Sequence, residues 1–224
     1  MSGAGKIRTI GLLGGTGHLG FGLALRWAPR HHIIMGSRSK EKAMKMSGKA
    51  TRILSKRGLR ASIDAGTNEE AASGSDLVAL CVPYEPALQL ADGLKDLLAD
   101  QIVLSPVAPM KKADNFLVPS LIPPDSAAIR LREILPKTVS IIASLHNVPA
   151  DKLYVDGPMP DYAMVVYGEN PAKATVMGLI REMKLLIPLD GGPLEFSYLS
   201  EQITPLLLNL AKLNKRRDLS TKFF

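Results

Sequence analysis

The sequence predicts an α/β protein built on a doubly wound parallel sheet, with a smaller α/β region at its C-terminal end. Three observations lead to this prediction. Apolar, strand-like runs alternate with segments of helical spacing along most of the 224 residues. Residues 77–82 form a continuous apolar run, which is typical of a strand buried on both faces of a parallel sheet. A glycine-rich turn directly follows the first apolar run, at residues 14–20.

The glycine turn has the G-x-G-x-x-G spacing, carried by Gly15, Gly17 and Gly20. It lies between a predicted strand over residues 7–13 and a predicted helix that begins near His18. In such a unit one glycine allows the tight turn, one allows the backbone to approach a pyrophosphate, and one allows the helix to pack on the strand. Backbone N–H groups at the helix start would hold the phosphates. This context favours a dinucleotide site over a glycine turn without a ligand.

The other elements follow in chain order. Strands are predicted over residues 32–36, 61–65, 77–82, 102–105 and 139–144. Helices are predicted over residues 40–56, 85–99 and 126–135, and a further short helix is predicted to begin at Asn68 as its N-cap. A loop is predicted at 106–110 and a proline-rich excursion at 116–124. The last third should contain strands at 164–168 and 185–189, and helices at 171–184 and 199–213. The final helix is so rich in leucine that it should pack on the main domain, on a second subunit, or on both.

Composition sets the broad class. Hydrophobic residues make up 46% of the chain and charged residues 22%, as in ordinary globular proteins. The first residues lack a signal-peptide pattern and no apolar run approaches the ~20 residues of a membrane span, so we expect a cytoplasmic protein. The single cysteine, Cys81, falls in an apolar run and is expected to be an inert core residue. No cysteine–histidine cluster suggests a metal site.

The positive charge is concentrated in one stretch. The chain has a net charge of +7, and residues 26–60 alone contain eleven Lys and Arg against one acid. Such a stretch could meet nucleic acid, an anionic membrane or a multiply charged small ligand. Its place immediately after the second strand favours a small ligand, and most of these side chains should form a solvated helix face. We therefore expect small-molecule coenzymes as partners, and neither nucleic acid nor membrane.

The end of the second strand indicates which dinucleotide binds. In NAD-binding folds an acidic residue about 20 residues past the glycines accepts hydrogen bonds from the ribose. At that place the sequence has Ser37 and Arg38, with no carboxylate. Arg38 can stack on adenine and bind a 2'-phosphate, Ser37 can donate its hydroxyl, and Lys42 can approach from the next helical turn. The sequence therefore predicts NADP rather than NAD.

Six segments resemble a known family in the order in which they occur: residues 13–20, 36–38, 82–85, 105–109, 145–150 and 189–194. The family is the NADPH-dependent F420 reductases, which pass a hydride between NADP and a deazaflavin coenzyme. The first segment is shared with many NADP enzymes. The histidine segment at 145–150 and the Asp-Gly-Gly-Pro-Leu segment, residues 190–194, are more discriminating. The resemblance covers nearly the entire chain.

The resemblance implies roles for individual residues. It implies Thr16, Gly17, His18 and Leu19 at the pyrophosphate, in the glycine turn that includes Gly15; Ser37, Arg38 and Lys42 at the 2'-phosphate; Val82, Pro86, Ala108 and Ala150 along the rest of NADP; and His146 and Val148 beside the ring of coenzyme F420. His18 and residues 147–148 differ from the familiar asparagine and threonine–isoleucine. Because the two coenzymes supply the hydride chemistry, His146 is expected to position a ring rather than to act as an obligatory acid or base.

The resemblance also implies an organisation for the whole chain. Residues 1–150 would form an NADP-binding Rossmann domain, and residues 151–224 a smaller domain that completes the F420 cleft and forms the subunit interface of a homodimer. The alternatives are another NADPH-dependent reductase, of the imine reductase or metalloreductase type, or a non-catalytic NADP-binding module. Imine reductases add a large helical domain, for which about 80 residues after Leu145 leave little room. Metalloreductases need a haem-bearing membrane portion, for which the sequence has no segment.

Overall fold

A computed structural model describes residues 7–184, 186–216 and 219–223 of the chain. Its strands are β1 (Thr9–Leu13), β2 (His32–Ser37), β3 (Ser62–Thr67), β4 (Leu77–Leu80), β5 (Ile102–Ser105), β6 (Met110–Ala113), β7 (Phe116–Pro119), β8 (Ser140–Ala143), β9 (Ala163–Val166) and β10 (Ile187–Asp190). Its α-helices are α1 (His18–Trp27), α2 (Lys40–Lys56), α3 (Asn68–Ser73), α4 (Tyr84–Leu94), α5 (Ala127–Ile134), α6 (Ala150–Leu153), α7 (Ala172–Arg181), α8 (Tyr198–Glu201) and α9 (Ile203–Leu213).

The central sheet has six parallel strands in the order β3-β2-β1-β4-β5-β8. The chain winds outward from β1 in both directions, so the order reverses between β1 and β4. Leu12 in β1 is aligned with Met35 on one side and Ala79 on the other. All four residues of β4 are buried, as expected for a central parallel strand. The predicted doubly wound sheet is thus confirmed, and ligands of this fold bind at the carboxyl ends of β1 and β4.

The core on one face of the sheet continues into the C-terminal third of the chain. Phe21 and Trp27 of α1 are fully buried in the same cluster as Leu153 and Leu179. The indole of Trp27 donates a hydrogen bond from Nε1 to the carbonyl of Leu179 over 3.1 Å. Burial of these apolar side chains stabilises both regions together. The division into two domains at residue 150 remains a prediction.

The predicted smaller α/β region is built around a second sheet. β9 and β10 pair in parallel, and α7 connects them. This sheet is attached to the edge of the large one by a single antiparallel bridge, in which Ala143 and Tyr167 exchange backbone hydrogen bonds of 3.0 and 2.9 Å. The C-terminal region therefore lies beside β8, next to the carboxyl ends of the central strands.

A β-hairpin includes part of the predicted proline-rich excursion. The loop predicted over residues 106–110 is present, except that Met110 begins β6. In the excursion predicted over 116–124 the first four residues are β7, which pairs antiparallel with β6 across a turn in which Asp114 has a φ of 51°. The hairpin is held by a residue far along the chain: Asn209 of α9 accepts from the backbone N–H of Leu117 over 2.9 Å and donates to its carbonyl over 2.7 Å. The strand was not predicted because the contacts that form this hairpin are not local.

Three helix boundaries also differ from the prediction. The helix expected over residues 85–99 ends at Leu94 and continues as a short 3-10 turn. The helix expected over 199–213 is divided at Gln202 into α8 and α9. The N-cap of α3 is Thr67 and not Asn68, because Thr67 Oγ1 accepts from the N–H of Glu70 over 3.2 Å while the Glu70 carboxylate accepts from the N–H of Thr67 over 2.8 Å. The helix over residues 40–56 is confirmed.

Candidate functional site

The glycine turn connects β1 to α1 in a conformation that requires glycine. Gly14 has a φ of 71°, and a Cβ there would lie 2.4 Å from Cγ1 of Val82. A Cβ on Gly20 would lie 2.6 Å from the Cα of Gly15, so this glycine allows α1 to approach the turn. The left-handed residue of the turn is therefore Gly14, which precedes the three glycines of the motif.

Asn68 holds this turn from the neighbouring strand–helix connection. Its Oδ1 accepts a hydrogen bond from the backbone N–H of Gly14 over 3.1 Å, and its side chain is buried. A Cβ on Gly36 would lie 3.0 Å from the same oxygen. Asn68 was predicted to be a helix cap and not a contact of the glycine turn, because Asn68 and Gly14 are 54 residues apart in the sequence.

A first cavity of about 660 Å³ opens at the carboxyl ends of β1, β2 and β4. Its lining residues are Gly14, Thr16, Gly17, Ser37, Arg38, Ser39, Lys42, Asn68, Cys81, Val82, Pro83, Pro86, Gln89 and Leu90. Seven residues predicted to contact NADP meet here: Thr16, Gly17, Ser37, Arg38, Lys42, Val82 and Pro86. Sequence analysis missed Gln89 and Leu90 of α4, which no motif indicates.

The lining of the first cavity contains two cations and no carboxylate. Neither Arg38 nor Lys42 has a side-chain hydrogen bond or ion pair with any residue in the described part of the chain. The nearby Lys40, in contrast, is paired with Glu70 over 2.7 Å. Two unpaired cations beside the Ser37 hydroxyl form a donor set that suits a phosphate monoester.

Cys81, which follows β4, is half-buried and packs against the core, as expected. It also lines the first cavity, which the sequence did not indicate. Its expected inertness agrees with its surroundings, because burial raises the pKa of the thiol to about 12. The thiol is therefore protonated near neutral pH and is a poor nucleophile.

A second cavity of about 290 Å³ lies on the other side of the start of α1. Its lining residues are His18, His146, Asn147, Val148, Pro149, Ala150, Asp151, Thr204, Leu207, Leu208, Ala211 and Leu219. Four predicted site residues are among them: His18, His146, Val148 and Ala150. Because Gly17 lines the first cavity and His18 the second, the two cavities meet at the first turn of α1.

His146 lies in the second cavity at the tip of a strained turn. The preceding Leu145 is a buried non-glycine residue with a φ of 64°, and Val148 donates its N–H to the Leu145 carbonyl over 3.3 Å. Burial lowers the pKa of the His146 imidazole to about 3, so the ring is neutral near neutral pH. Its Nε2 is buried and has no hydrogen-bond partner among the described residues.

The unpartnered nitrogen of His146 is a reason to expect a ligand with polar ring atoms at this place. A buried polar atom without a partner costs about 1–3 kcal/mol, and a ligand atom that bonds to it removes this cost. Apolar residues make up most of the rest of the lining, among them Val148, Leu207 and Leu208. A flat heterocycle with polar edge atoms, such as a deazaflavin, matches these features.

Three predicted residues line neither cavity. Gly15 is buried beneath the turn, Leu19 is half-buried against the core, and Ala108 is half-buried in the loop after β5. Their contact with NADP remains a prediction.

The wall that α9 contributes to the second cavity was not predicted from the sequence. Leu207 and Ala211 are four residues apart and share a helix face, but a leucine-rich pattern does not reveal which face meets a cavity.

The chain is similar to proteins whose family is known. Residues 9–109 match a family profile described as coenzyme F420-dependent NADP oxidoreductase. The F420-dependent NADP reductase of Methanocaldococcus jannaschii is 37% identical over 203 residues, which is 90% of this chain and 91% of that protein. The chain belongs to the family of F420-dependent NADP reductases. Another family member, from Methanothermobacter thermautotrophicus, is 29% identical over 95% of this chain and 93% of its own length.

Solved structures agree with the fold of this F420-dependent NADP reductase family member. A protein from Arthrobacter described as a candidate F420-dependent NADP reductase superposes with a TM-score of 0.80 at 18% identity, covering 98% of this chain and all (100%) of the other. An imine reductase from Pseudomonas gives a TM-score of 0.61 at 13% identity, covering 94% of this chain but 65% of its own. Both likenesses concern the fold alone.

None of the helices in the described part of the chain is both long enough and apolar enough to cross a membrane. In the same part of the chain, no group of three or more His, Cys, Asp and Glu side chains could hold a metal ion.

Proposed function

We propose that this chain transfers a hydride between NADP(H) and coenzyme F420. One observation carries the proposal: two cavities lie next to each other at the start of α1. The first has two unpaired cations and no carboxylate, and the second is lined by His146, whose Nε2 has no hydrogen-bond partner among the described residues. Membership of the F420-dependent NADP reductase family supports the same activity.

The first cavity would hold most of NADP. Ser37, Arg38 and Lys42 bind the 2'-phosphate. The two positive charges attract this phosphate, whereas the carboxylate found here in NAD-binding folds would repel it, so the site favours NADP over NAD. The N–H groups at the start of α1 bind the pyrophosphate, where the helix dipole favours negative charge. Residues assigned to these phosphates and to the rest of the dinucleotide are Gly15, Thr16, Gly17, His18, Leu19, Val82, Pro86, Ala108 and Ala150.

The second cavity would hold the deazaflavin ring. His146 donates from its neutral imidazole to a ring heteroatom or carbonyl, or accepts from a ring N–H, and so orients the ring. Val148 supplies an apolar contact and helps to exclude water. The reduced deazaflavin supplies a hydride at C5 and oxidised nicotinamide accepts one at C4, so the chain contributes alignment and needs no acid or base of its own.

The experiment that tests this function uses the purified chain with NADPH and oxidised coenzyme F420. The visible absorbance of the coenzyme should bleach as NADPH is consumed, and NADH in place of NADPH should give much slower bleaching. Binding of NADPH is measured separately by its fluorescence. Tight NADPH binding without bleaching would contradict the proposal and leave a nucleotide-binding module.

We further propose that the protein is a cytoplasmic homodimer, with residues 1–150 as the NADP-binding domain and residues 151–224 as the part that completes the F420 cleft. Three leucines of α9 support the dimer because they share one face of the helix and are exposed in the single chain: Leu206, Leu210 and Leu213. The other side of this helix lines the second cavity through Leu207, Leu208 and Ala211. The cytoplasm is where reduced nicotinamide and deazaflavin coenzymes would be exchanged.

A further inference from the structure

The last described residues, 219–223, lie against the turn that presents His146. We call them the C-terminal tail. The carbonyl of Thr221 accepts a backbone hydrogen bond from Ala163 over 3.0 Å, which places the tail along β9. Lys222 contacts the carboxylate of Asp161 further along. At its other end the tail reaches the second cavity, where Leu219 forms part of the wall together with Leu207 and Leu208 of α9.

Asn147 connects the tail to the turn. Its side-chain nitrogen lies 2.6 Å from Oγ1 of Thr221 and 3.1 Å from both Oγ of Ser220 and the carbonyl oxygen of Ala163. The Ser220 hydroxyl in turn lies 2.8 Å from the backbone carbonyl of Asn147. The contacts span 16, 73 and 74 residues of sequence, so they tie together separate parts of the chain.

The donors and acceptors of this network can be assigned. The carbonyl of Ala163 can only accept, so the amide nitrogen of Asn147 and not its oxygen faces this group. The amide nitrogen has two hydrogens for three acceptors within reach, which are this carbonyl and the hydroxyls of Ser220 and Thr221. The Ser220 hydroxyl donates to the Asn147 carbonyl over 2.8 Å, and the Thr221 hydroxyl lies 3.3 Å from the Ala163 carbonyl.

Asn147 lies between the two residues proposed to contact the deazaflavin, His146 and Val148. Because the side chain of Asn147 contacts both the tail and β9, it restrains the backbone of the two residues next to it. This restraint acts on a turn that already contains the left-handed Leu145. The tail consequently contributes in two ways: Leu219 supplies wall area, and Asn147 keeps the turn in position.

We propose that the C-terminal tail is a specificity-determining part of the coenzyme F420 site, with Leu219 as a wall residue and Asn147 as a positioning residue. This inference rests on the proposed function. The tail should affect deazaflavin binding far more than NADP(H) binding, because none of its residues lines the first cavity, where most of NADP would lie.

Binding and turnover of the full chain test the proposal. Coenzyme F420 binding is followed by quenching of its own fluorescence and NADPH binding by its own, so affinity is measured without turnover. Leu219→Ala should raise the dissociation constant for F420 roughly tenfold, the range for losing a branched apolar contact, and leave that for NADPH within about twofold. Leu97→Ala, an exposed leucine outside both cavities, is the matched control.

A matched pair at Thr221 tests the positioning network. Thr221→Val keeps the shape and removes the hydroxyl, and should raise the KM for F420 with the NADPH dissociation constant unchanged. Thr221→Ser keeps the hydroxyl and should retain the affinity of the original chain. Asn147→Ala should lower kcat as well as raise the KM for F420, because the turn that carries His146 loses its restraint.

The outcomes separate the two proposals. An unaltered chain that binds NADPH but neither binds nor reduces F420 overturns the proposed function and this inference with it. An unaltered chain that binds F420, with Leu219→Ala and Thr221→Val variants that bind it equally well, overturns the role of the tail alone. Equal losses for F420 and NADPH, together with a lower Tm, would assign the tail to general stability and also contradict its role in specificity.

Discussion

His18 Nε2 lies 2.6 Å from Oδ1 of Asp151, and this pair joins the first turn of α1 to the first turn of α6. The imidazole is also stacked on Tyr154, with 4.8 Å between ring centroids, and the Tyr154 hydroxyl donates to the His18 carbonyl over 2.8 Å. His18 thus connects the helix that begins at the glycine turn with the segment that begins at Ala150. This connection lies between the two cavities, since Gly17 lines the first cavity and His18 the second.

Arg26, rather than His18, should supply most of the stability of this connection. Its guanidinium donates to four backbone carbonyls, those of Lys152, Leu153, Val155 and Gly157, at 2.5 to 2.9 Å. The His18–Asp151 pair is about 60% exposed on both sides. We expect Arg26→Ala to lower the free energy of unfolding by about 2–4 kcal/mol, and Asp151→Ala to lower it by less than about 1 kcal/mol. Urea denaturation measures the free energy of unfolding of both variants. A loss for Arg26→Ala as small as that for Asp151→Ala would show that water replaces the hydrogen bonds of the guanidinium.

Arg38 should decide between the two nicotinamide dinucleotides. Arg38→Ala is expected to raise the dissociation constant for NADPH at least tenfold and to change that for NADH by less than about twofold, because NADH has no 2'-phosphate to lose. Lys40→Ala is the matched control, since Lys40 is occupied by Glu70 at 2.7 Å. Fluorescence titration measures all four constants. Equal losses for NADPH and NADH would remove the phosphate-binding role.

His146 should affect the deazaflavin half of the reaction only. His146→Ala is expected to lower turnover with F420 by about tenfold or more while the NADPH dissociation constant stays the same. Because burial holds the pKa of His146 at about 3, the ring stays neutral above that value and should add no inflection to the pH–rate profile between about pH 5 and pH 9. A rate unaffected by the substitution would reduce His146 to a core residue.

Glu201 should make stability depend on pH. Its buried carboxylate accepts from the N–H groups of Ala127 and Ala128 over 2.7 and 3.2 Å, yet burial raises its pKa from 4.5 to about 7. Between these values the folded chain holds a proton that the unfolded chain releases. The free energy of unfolding contributed by this group therefore falls as pH rises towards 7 and is lost above it.

Glu201→Gln tests this dependence because the amide has similar shape and no charge. Between about pH 5 and pH 8 the variant should lose less stability than the unaltered chain, by roughly 2 kcal/mol. Urea denaturation at several pH values gives the comparison. Glu133→Gln, on the exposed side of α5, is the control. Parallel stability curves for the unaltered chain and Glu201→Gln would show that Glu201 keeps an ordinary pKa.

The exposed leucines of α9 should hold the proposed dimer together. Leu206 and Leu213 are 56% and 63% exposed in the single chain. Replacing both with Glu should give a monomer in sedimentation experiments, because buried unpaired charges at an interface are costly. Leu97→Glu introduces one such charge at a site away from α9 and should leave the dimer intact. A monomeric unaltered chain would contradict the homodimer directly.

Much of the six-stranded sheet and of the first cavity could be predicted because the signals are local. The glycine turn requires backbone conformations and close approaches that only glycine allows, as at Gly14 and Gly20. The buried strands show as apolar runs, and the helix Lys40–Lys56 was predicted with its observed bounds. Ser37 and Arg38 follow β2 directly, so their place beside the first cavity could be inferred from the strand that precedes them.

The second cavity could be predicted only through resemblance, because its geometry comes from contacts between distant residues. Distant contacts also escaped prediction elsewhere: nothing local shows that Asn209 holds the β6–β7 hairpin, that Asn68 holds Gly14, or that Cys81 lines the first cavity. The tail reaches Asn147 across 73 and 74 residues.

The sequence by itself thus determined the doubly wound sheet and the place of Ser37, Arg38 and Lys42 after β2, since periodicity and glycine conformations act over a few residues. The tertiary structure alone decided where the second cavity lies and which residues enclose it. Its walls are assembled from the His146 turn, α9 and the C-terminal tail, and the hydrogen bonds and apolar contacts between these segments exist only once the chain has folded.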